Sequence, residues 1–160
     1  MNTDEHGCKN SESEAKKRPE ELNKLTERVI GCAYKVSNGL GCGFLEKVYE
    51  NALAHELRKN GLRVFQQHAI TVRCDGVVVG DYAADLLVED RLLIELKACK
   101  ALDDIHTAQC LNYLRATMLP VCLLMNFGRP KIQIKRISGR SRTWTTLRSF
   151  LSLLFSFITG

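Results

Sequence analysis

Two short apolar segments that contain charged residues constrain the fold of this chain more than any other feature. Tyr82 to Val88 and Leu92 to Ala98 have the composition of buried strands, and the polar tripeptide between them predicts a hairpin. Asp85 interrupts the first strand, and Glu95 and Lys97 interrupt the second. Because burying an unpartnered charge costs several kcal/mol, these three side chains are expected to pair with one another or to share a ligand.

The length of the hairpin loop decides whether the three charged groups can meet. Alternate residues of a strand share a face, so Glu95 and Lys97 point the same way. A three-residue loop over 89–91 brings Asp85 opposite Glu95, with both carboxylates on one side of the sheet. A two-residue loop would place the carboxylates on opposite faces.

Two carboxylates held this close repel each other unless a cation or a proton lies between them, and ligation by oxygen alone favours Mg²⁺. Such an ion would polarise a phosphodiester and lower the pKa of a bound water. The Lys97 ammonium would orient that water or stabilise the developing negative charge. An Asp-Lys or Glu-Lys ion pair bridging the strands at a sheet edge explains the same spacing, so the spacing alone leaves both readings open.

The remaining pattern predicts an α/β (α+β) fold in the order α-α-β-β-β-β-α-β-β. On the third helix, His106, Gln109 and Tyr113 are expected to lie opposite an apolar side. That apolar side consists of Ile105, Ala108, Leu111, Leu114 and Met118. The predicted helices are 21–36, 45–60 and 104–118, and the predicted strands are 62–74, 77–79, 82–88, 92–98, 121–127 and 131–137.

One domain is expected, because 160 residues that are 45% apolar can bury one core but are too few for two ordinary domains. This domain is predicted to span residues 21–137. Residues 1–20 are polar and charge-mixed, which predicts a disordered lead. Residues 138–160 form a basic and then apolar tail. Its segment Phe150 to Ile158 is about half the length of a membrane span, so a packed element is expected instead. A contact with a membrane surface, with a protein partner or with a second copy is the alternative.

The charges divide unevenly along the chain. All 18 acidic residues lie at or before Asp104, and the chain after that residue is basic or neutral. This division favours a polyanionic partner, DNA more than RNA, although a merely solvated basic surface explains it equally well. The basic residues chosen as candidate nucleic-acid contacts are Arg129, Lys131, Lys135 and Arg136.

The seven cysteines are scattered without a CxxC pair, which predicts reduced thiols and a cytoplasmic location. Cys99, His106 and Cys110 match no standard zinc-site spacing, so small buried side chains are the preferred interpretation.

A carboxylate on one strand, followed after a short hairpin by Glu-x-Lys on the next, resembles the active-site signature of the PD-(D/E)XK nucleases. In this sequence the signature reads Ala84-Asp85 and Glu95-Leu96-Lys97, with alanine in place of the usual proline. The resemblance implies a restriction-endonuclease-like core, in which a mixed sheet is flanked by helices. It also implies a nuclease that depends on Mg²⁺ or Mn²⁺, with Asp85 and Glu95 as metal ligands.

Two further motifs extend the resemblance over roughly residues 25–137. Gly43-Phe-Leu-Glu46-Lys-Val-Tyr49 resembles the motif of the GxxExxY protein family, and Gln109-Cys-Leu-Asn-Tyr113 is similar to the QxxxY motif of RecB-like nucleases. By resemblance Glu46 is a catalytic group that binds metal or positions a metal-bound water, and Tyr49, Gln109 and Tyr113 support the site. A capping or solvated Glu46 and a core Tyr49 are the alternatives.

A Mg²⁺-dependent nuclease that cuts phosphodiester bonds is therefore the preferred function. A nucleic-acid-binding module that does not turn over substrate, or an accessory subunit of a complex, would also be consistent with the same sequence.

Overall fold

The structure is a computed structural model that describes residues 9–139, with side chains described from residue 18. It contains three helices and five strands. The predicted fold class, a mixed sheet flanked by helices, is confirmed. The apolar segment at Phe150 to Ile158 lies outside the described residues. In chain order the elements are α1 (Lys9–Leu40), α2 (Glu46–Lys59), β1 (Val64–Cys74), β2 (Val77–Val88), β3 (Leu92–Lys97), α3 (Asp104–Thr117), β4 (Val121–Asn126) and β5 (Gln133–Ser138).

The five strands form one sheet in the order β1-β2-β3-β4-β5. Only the β3–β4 pair is parallel among these strands, because helix α3 carries the chain back across the sheet between them. The β2–β3 hairpin pairs Val88 with Leu92, as the predicted three-residue loop requires. Within that loop Glu89 and Asp90 both have φ near +50°. The left-handed backbone there closes the turn.

The prediction of six strands was wrong by one. Residues 77–79 and 82–88 belong to a single strand, because Gly80 and Asp81 pair with Val72 and Thr71 of the long neighbouring strand β1 instead of breaking the ladder. The irregularity falls instead between Val72 and Arg73, where the register shifts.

Helices α1 and α2 cover one face of the sheet, and α3 covers the other. Leu92, Ile94 and Leu96 of β3 pack in the α1–α2 cluster, whereas Leu93 packs against α3. Since side chains alternate along a strand, Glu95 follows Leu93 onto the α3 side. The two apolar clusters thus support the two faces of the strand that carries the predicted chemistry.

The predicted apolar side of α3 was wrong in part. Ile105 is 75% exposed and Met118 is 68% exposed, while Cys110 and Tyr113 are buried together with Leu114. Tyr113 packs in the α3 cluster and its hydroxyl donates a hydrogen bond to the backbone of β2, so this face of the helix is turned toward the sheet. The helix has apolar residues on both sides, so its sequence alone does not fix its rotation.

Helix α1 begins at Lys9, so it includes residues 9–20, for which composition predicts a disordered lead. Low apolar content predicts disorder, but the Glu, Lys and Ala residues of this segment also favour a helix. Pro19 lies inside the helix, where its ring removes one backbone donor. No helix between residues 9 and 139 combines the length and the apolar character needed to cross a bilayer.

Candidate active site

Asp85 is held where the β2–β3 ladder ends. The last paired residues are Leu86 and Ile94, and one step further Asp85 Oδ2 accepts a hydrogen bond from the backbone N–H of Leu96 at 2.7 Å. A side chain therefore replaces the backbone as the acceptor at this point. Gln67, opposite on β1 with φ of +52°, donates to Asp85 Oδ1 at 3.3 Å. These two contacts fix the Asp85 carboxylate against β3.

Glu95 and Lys97 point to the same side of β3, as predicted. Lys97 Nζ donates to Glu95 Oε1 at 2.7 Å, and the exposed fractions of these side chains are only 15% and 4%. The second oxygen of Glu95, Oε2, is buried without a hydrogen-bond partner. Among the side chains of residues 18–139 it is the single buried polar atom left in this state. An unpaired buried acceptor is costly, so this oxygen is available to a ligand.

Three carboxyl groups lie around Lys97, those of Glu46, Asp85 and Glu95, and their charged forms are disfavoured. Burial, together with the charge of Asp85, raises the pKa of Glu95 to about 7. Burial also raises the pKa of Asp85 and, helped by the charge of Asp85, that of Glu46. Burial alone would lower the pKa of Lys97, but its hydrogen bond to Glu95 and the nearby acids outweigh that effect and raise it. One ammonium does not compensate this cluster of acids, which therefore favours a further cation.

Glu46 opens helix α2, and its charge interacts with those of Lys97 and Asp85. The structure thus brings Glu46 to the same site as the three residues of the hairpin. The chain enters α2 through a loop in which Gly43 has φ of +112°, a conformation that residues other than glycine rarely adopt. This turn directs the start of the helix toward the end of β3.

Tyr49 lies in the core and does not reach the carboxylates. It is fully buried and stacks on Phe127 with ring centroids 4.8 Å apart. Its hydroxyl donates to the Gly41 carbonyl at 2.9 Å and accepts from the Phe44 N–H at 3.2 Å. Tyr49 therefore fixes the loop that precedes Glu46. This is the role in the core that the sequence left open as an alternative for Tyr49.

Gln109 and Tyr113 form a hydrogen-bonded pair on α3. Gln109 Nε2 donates to the Tyr113 hydroxyl at 2.7 Å, and that hydroxyl donates to the Ala83 carbonyl at 3.3 Å. Burial raises the pKa of Tyr113, and the charges of Glu95, Lys97 and Asp85 also act on it. The pair therefore packs α3 against the part of β2 that carries Asp85.

Sequence reasoning missed Glu50 and Gln67. Glu50 is 2% exposed and accepts hydrogen bonds from Lys47, Gln66 and Gln67, at 2.7, 3.0 and 2.8 Å. Gln67 also donates to Asp85, so it joins a second buried acid to the first. The signal available was the four-residue spacing of Glu46 and Glu50, which places them on one helix face.

Asn126 at the end of β4 was also missed as a positioning residue. This fully buried side chain accepts from the N–H groups of Cys99 and Gly128 and donates to the Cys99 carbonyl. A Cβ at Gly128 would lie 2.4 Å from the Cys99 backbone, so only glycine fits there. Together they fix the chain directly after Lys97. An asparagine ending an otherwise apolar strand was the signal.

The four basic residues predicted to contact nucleic acid do not share one surface. Arg129 and Lys131 lie in the loop before β5. On the strand itself, Lys135 contacts Thr107 of α3 at 3.4 Å, whereas Arg136 reaches Asn23 of α1 at 2.9 Å. Adjacent residues of a strand face opposite sides, so this separation follows from the alternation of β5.

The arrangement fits a hard divalent cation held by two acids. Asp85 and Glu95 offer only oxygen, one oxygen is unpartnered, and the pKa values of both are raised. Between residues 9 and 139, no three His, Cys, Asp or Glu side chains come together as a metal-binding group. Mg²⁺ suits such a site because it keeps several of its waters when bound through one or two carboxylates.

A family model described as the PD-(D/E)XK nuclease superfamily matches residues 23–137. Among solved structures, an alkaline exonuclease (LHK-Exo) from Laribacter hongkongensis is similar with a TM-score of 0.44 and 15% identity, over 69% of this chain and 64% of that one. SSO0001 is similar with a TM-score of 0.47 and 16% identity, over 71% of this chain and 59% of that one. The chain thus spans less than two thirds of the length of either protein. No curated protein matches it.

Proposed function

The chain belongs to the PD-(D/E)XK nuclease superfamily, and from that premise we propose that it is a metal-dependent nuclease that hydrolyses phosphodiester bonds of nucleic acid. The observation that carries the proposal is the buried, unpartnered Oε2 of Glu95 beside Asp85 and Lys97. A stability role alone would not leave a buried carboxyl oxygen without a hydrogen-bond partner.

Asp85 and Glu95 are the proposed ligands of Mg²⁺ or Mn²⁺. When bound, the ion would supply a positive charge that polarises the phosphodiester and acidifies an attacking water. The protein keeps its two ligands in place through neighbouring contacts: the Leu96 N–H and Gln67 hold Asp85, and Lys97 holds one oxygen of Glu95.

Lys97 is proposed to act on the reacting groups. An ammonium has three donors, of which Glu95 takes one in this structure. The other two can orient the attacking water or stabilise the negative charge that develops on the phosphate. The raised pKa of Lys97 keeps it protonated, so its role is that of a donor and a positive charge.

Glu46 is proposed to bind the ion or to position a metal-bound water. Its charge interacts with those of Lys97 and Asp85, which places it at the same site. Tyr49 supports Glu46 by fixing the preceding loop through its hydrogen bond to Gly41. Gln109 and Tyr113 support Asp85 through the hydrogen bond of Tyr113 to the backbone of β2. The resemblance of the loop and of α2 to the GxxExxY family stays a prediction.

DNA is the proposed substrate in preference to RNA, and the reducing cytoplasm is the proposed location. The basic residues after Asp104 support a polyanionic partner. Among the described residues, six cysteines are free, which agrees with a reducing compartment. Assembly with a protein partner or a second copy through the tail at 150–158 is a separate prediction.

The test is hydrolysis of single-stranded, duplex and branched DNA and of RNA, in Mg²⁺ or in excess chelator. We expect cutting in Mg²⁺ only, and a loss of at least about a hundredfold in Asp85→Ala and in Lys97→Ala, with nucleic-acid binding retained. Matched controls are Glu27→Ala and Lys59→Ala, an exposed acid and an exposed base on α1 and α2. Cutting that survives Asp85→Ala would contradict the proposal. Binding without any metal-dependent cutting would support the non-hydrolytic module instead.

A further inference from the structure

A groove of about 930 Å³ lies between α3 and the outer half of the β1–β2 hairpin. Its size is in the range of pockets that enclose a compact organic ligand. The hairpin contributes Val72, Gly80 and Tyr82, and α3 contributes Ile105 and Asn112 among other residues. No role in the fold accounts for this surface, because Ile105 is 75% exposed and Tyr82 is 56% exposed.

Tyr82 offers an aromatic face to the groove. Its ring lies over Gly80, where an added Cβ would come within 3.2 Å of Tyr82 Cε2. On its other flank Tyr113 holds it at a centroid distance of 6.2 Å and an interplanar angle of 52°. Because Gly80 has no side chain, the Tyr82 ring can pack directly on its backbone. More than half of the Tyr82 side chain remains exposed and can stack on a ligand.

The groove is electropositive. Arg73 lies on the hairpin side and Arg115 on the α3 side, and the described residues that line the groove include no carboxylate. Arg73 donates to the Gly76 carbonyl and Arg115 donates to Asn112. Each guanidinium has five donors, so both keep donors free for phosphate oxygens. An anionic ligand with flat apolar parts matches this lining.

One end of the groove lies near the candidate active site, because the Tyr113 hydroxyl donates to the carbonyl of Ala83, two residues before Asp85. Gln109 and Tyr113 line it, and the charges of Glu95, Lys97 and Asp85 act on Tyr113. A strand bound in the groove would therefore lie beside the part of β2 that carries Asp85. We propose that the groove binds single-stranded nucleic acid, with a base stacked on Tyr82 and the backbone phosphates bound by Arg73 and Arg115.

Single strands fit this surface better than duplexes. Stacking on a side chain requires an unpaired base whose face is accessible, and aromatic residues in a basic groove are the usual means of binding single strands. The proposal rests on the proposed function for its ligand class, but it adds which strand form is bound and where. A peptide, or a second copy of the chain, is the competing occupant of an apolar groove.

The experiment measures the binding of a labelled oligothymidylate and of a matched duplex by fluorescence anisotropy, with the full chain in excess chelator so that no cutting occurs. We expect preference for the single strand and about tenfold weaker binding in Tyr82→Ala, because the stacking of one base is lost. Tyr82→Phe keeps the ring and should bind as the wild type does. Gly80→Ala should weaken binding by displacing the ring.

Phosphate contacts are tested separately. Arg73→Ala and Arg115→Ala should each weaken binding and make it less sensitive to salt, because fewer counterions are released. Phe65→Ala and Lys59→Ala remove an exposed aromatic ring and an exposed charge outside the groove, and both should bind normally. Unchanged binding in Tyr82→Ala would overturn the proposal, as would a preference for the duplex. A change from dimer to monomer in Tyr82→Ala, seen by light scattering, would overturn it in favour of self-association.

Because binding is measured without metal, this result is separable from hydrolysis. Normal binding in Tyr82→Ala, together with abolished cutting in Asp85→Ala, would refute the groove and leave the nuclease intact. Weakened binding in Tyr82→Ala, together with cutting that survives in Asp85→Ala, would refute the nuclease proposal and support the groove.

Discussion

The two ends of strand β2 are built on opposite principles. Around Asp85 the polar groups are buried, and almost every one has a hydrogen-bond partner. At the far end, Val77 and Val79 are more than 60% exposed and contact water. Where polar groups are buried their geometry is fixed, so the single unpartnered oxygen of Glu95 is informative. Where apolar groups are exposed, the informative feature is the surface that they offer to a ligand.

Glycine substitutions provide the largest contrast between the surroundings of the buried site, where Gly128 follows β4, and the exposed hairpin. A Cβ at Gly128 would lie 2.4 Å from the Cys99 backbone, whereas at Gly80 it would meet only the exposed ring of Tyr82 at 3.2 Å. We expect Gly128→Ala to lower the free energy of unfolding by about 3 kcal/mol or more and Gly80→Ala by less than about 1 kcal/mol. Urea denaturation monitored by circular dichroism measures both. Equal losses would show that the surroundings of the buried site are no more constrained than the hairpin.

The hydrogen bonds of Asn126 provide the second contrast. Asn126→Ala leaves the Cys99 N–H and carbonyl without their partner in a buried place, so we expect a loss of about 2–3 kcal/mol in the free energy of unfolding. On the hairpin, Arg73→Ala removes only an exposed contact to Gly76 and should change stability by less than about 0.5 kcal/mol. A stable Asn126→Ala protein would mean that the chain after Lys97 is held by other contacts.

The smallest expected effect is a gain in stability. Burial and the charge of Asp85 disfavour the charged form of Glu95, even with Lys97 beside it. Glu95→Gln should therefore raise the free energy of unfolding by about 1–2 kcal/mol at neutral pH in excess chelator. The matched change at the exposed Glu27 should have no measurable effect. A destabilised Glu95→Gln protein would indicate that the ion pair with Lys97 is the main purpose of Glu95, as the ion-pair alternative holds.

The sequence predicted the parts of the site that depend on strand period and loop length. The three-residue loop at 89–91 sets the register of the hairpin, and the period of two then places Glu95 and Lys97 on one side. The contacts of Asp85 with Gln67, and of Asn126 with Cys99, join residues 18 and 27 positions apart. Such pairings depend on how the strands and their ends pack together, which local periodicity does not specify.

The errors have the same origin. Gly80 and Asp81 look like a strand break because glycine and aspartate are poor strand formers, but the long partner β1 continues the ladder through them. Cys110 and Tyr113 pack against the strands and thereby determine which side of α3 faces the sheet. Ile105 is exposed in the groove as a result. In both places a tertiary contact overrides a local preference.

The central claim, that Asp85 and Glu95 together form a cation site, is tested most directly by the melting temperature of the full chain with and without Mg²⁺. A bound ion stabilises the folded state by mass action, so Mg²⁺ should raise the melting temperature of the wild type and of Glu27→Ala. It should leave Asp85→Asn and Glu95→Gln unchanged. An equal rise in Glu95→Gln, or none in the wild type, would contradict the claim.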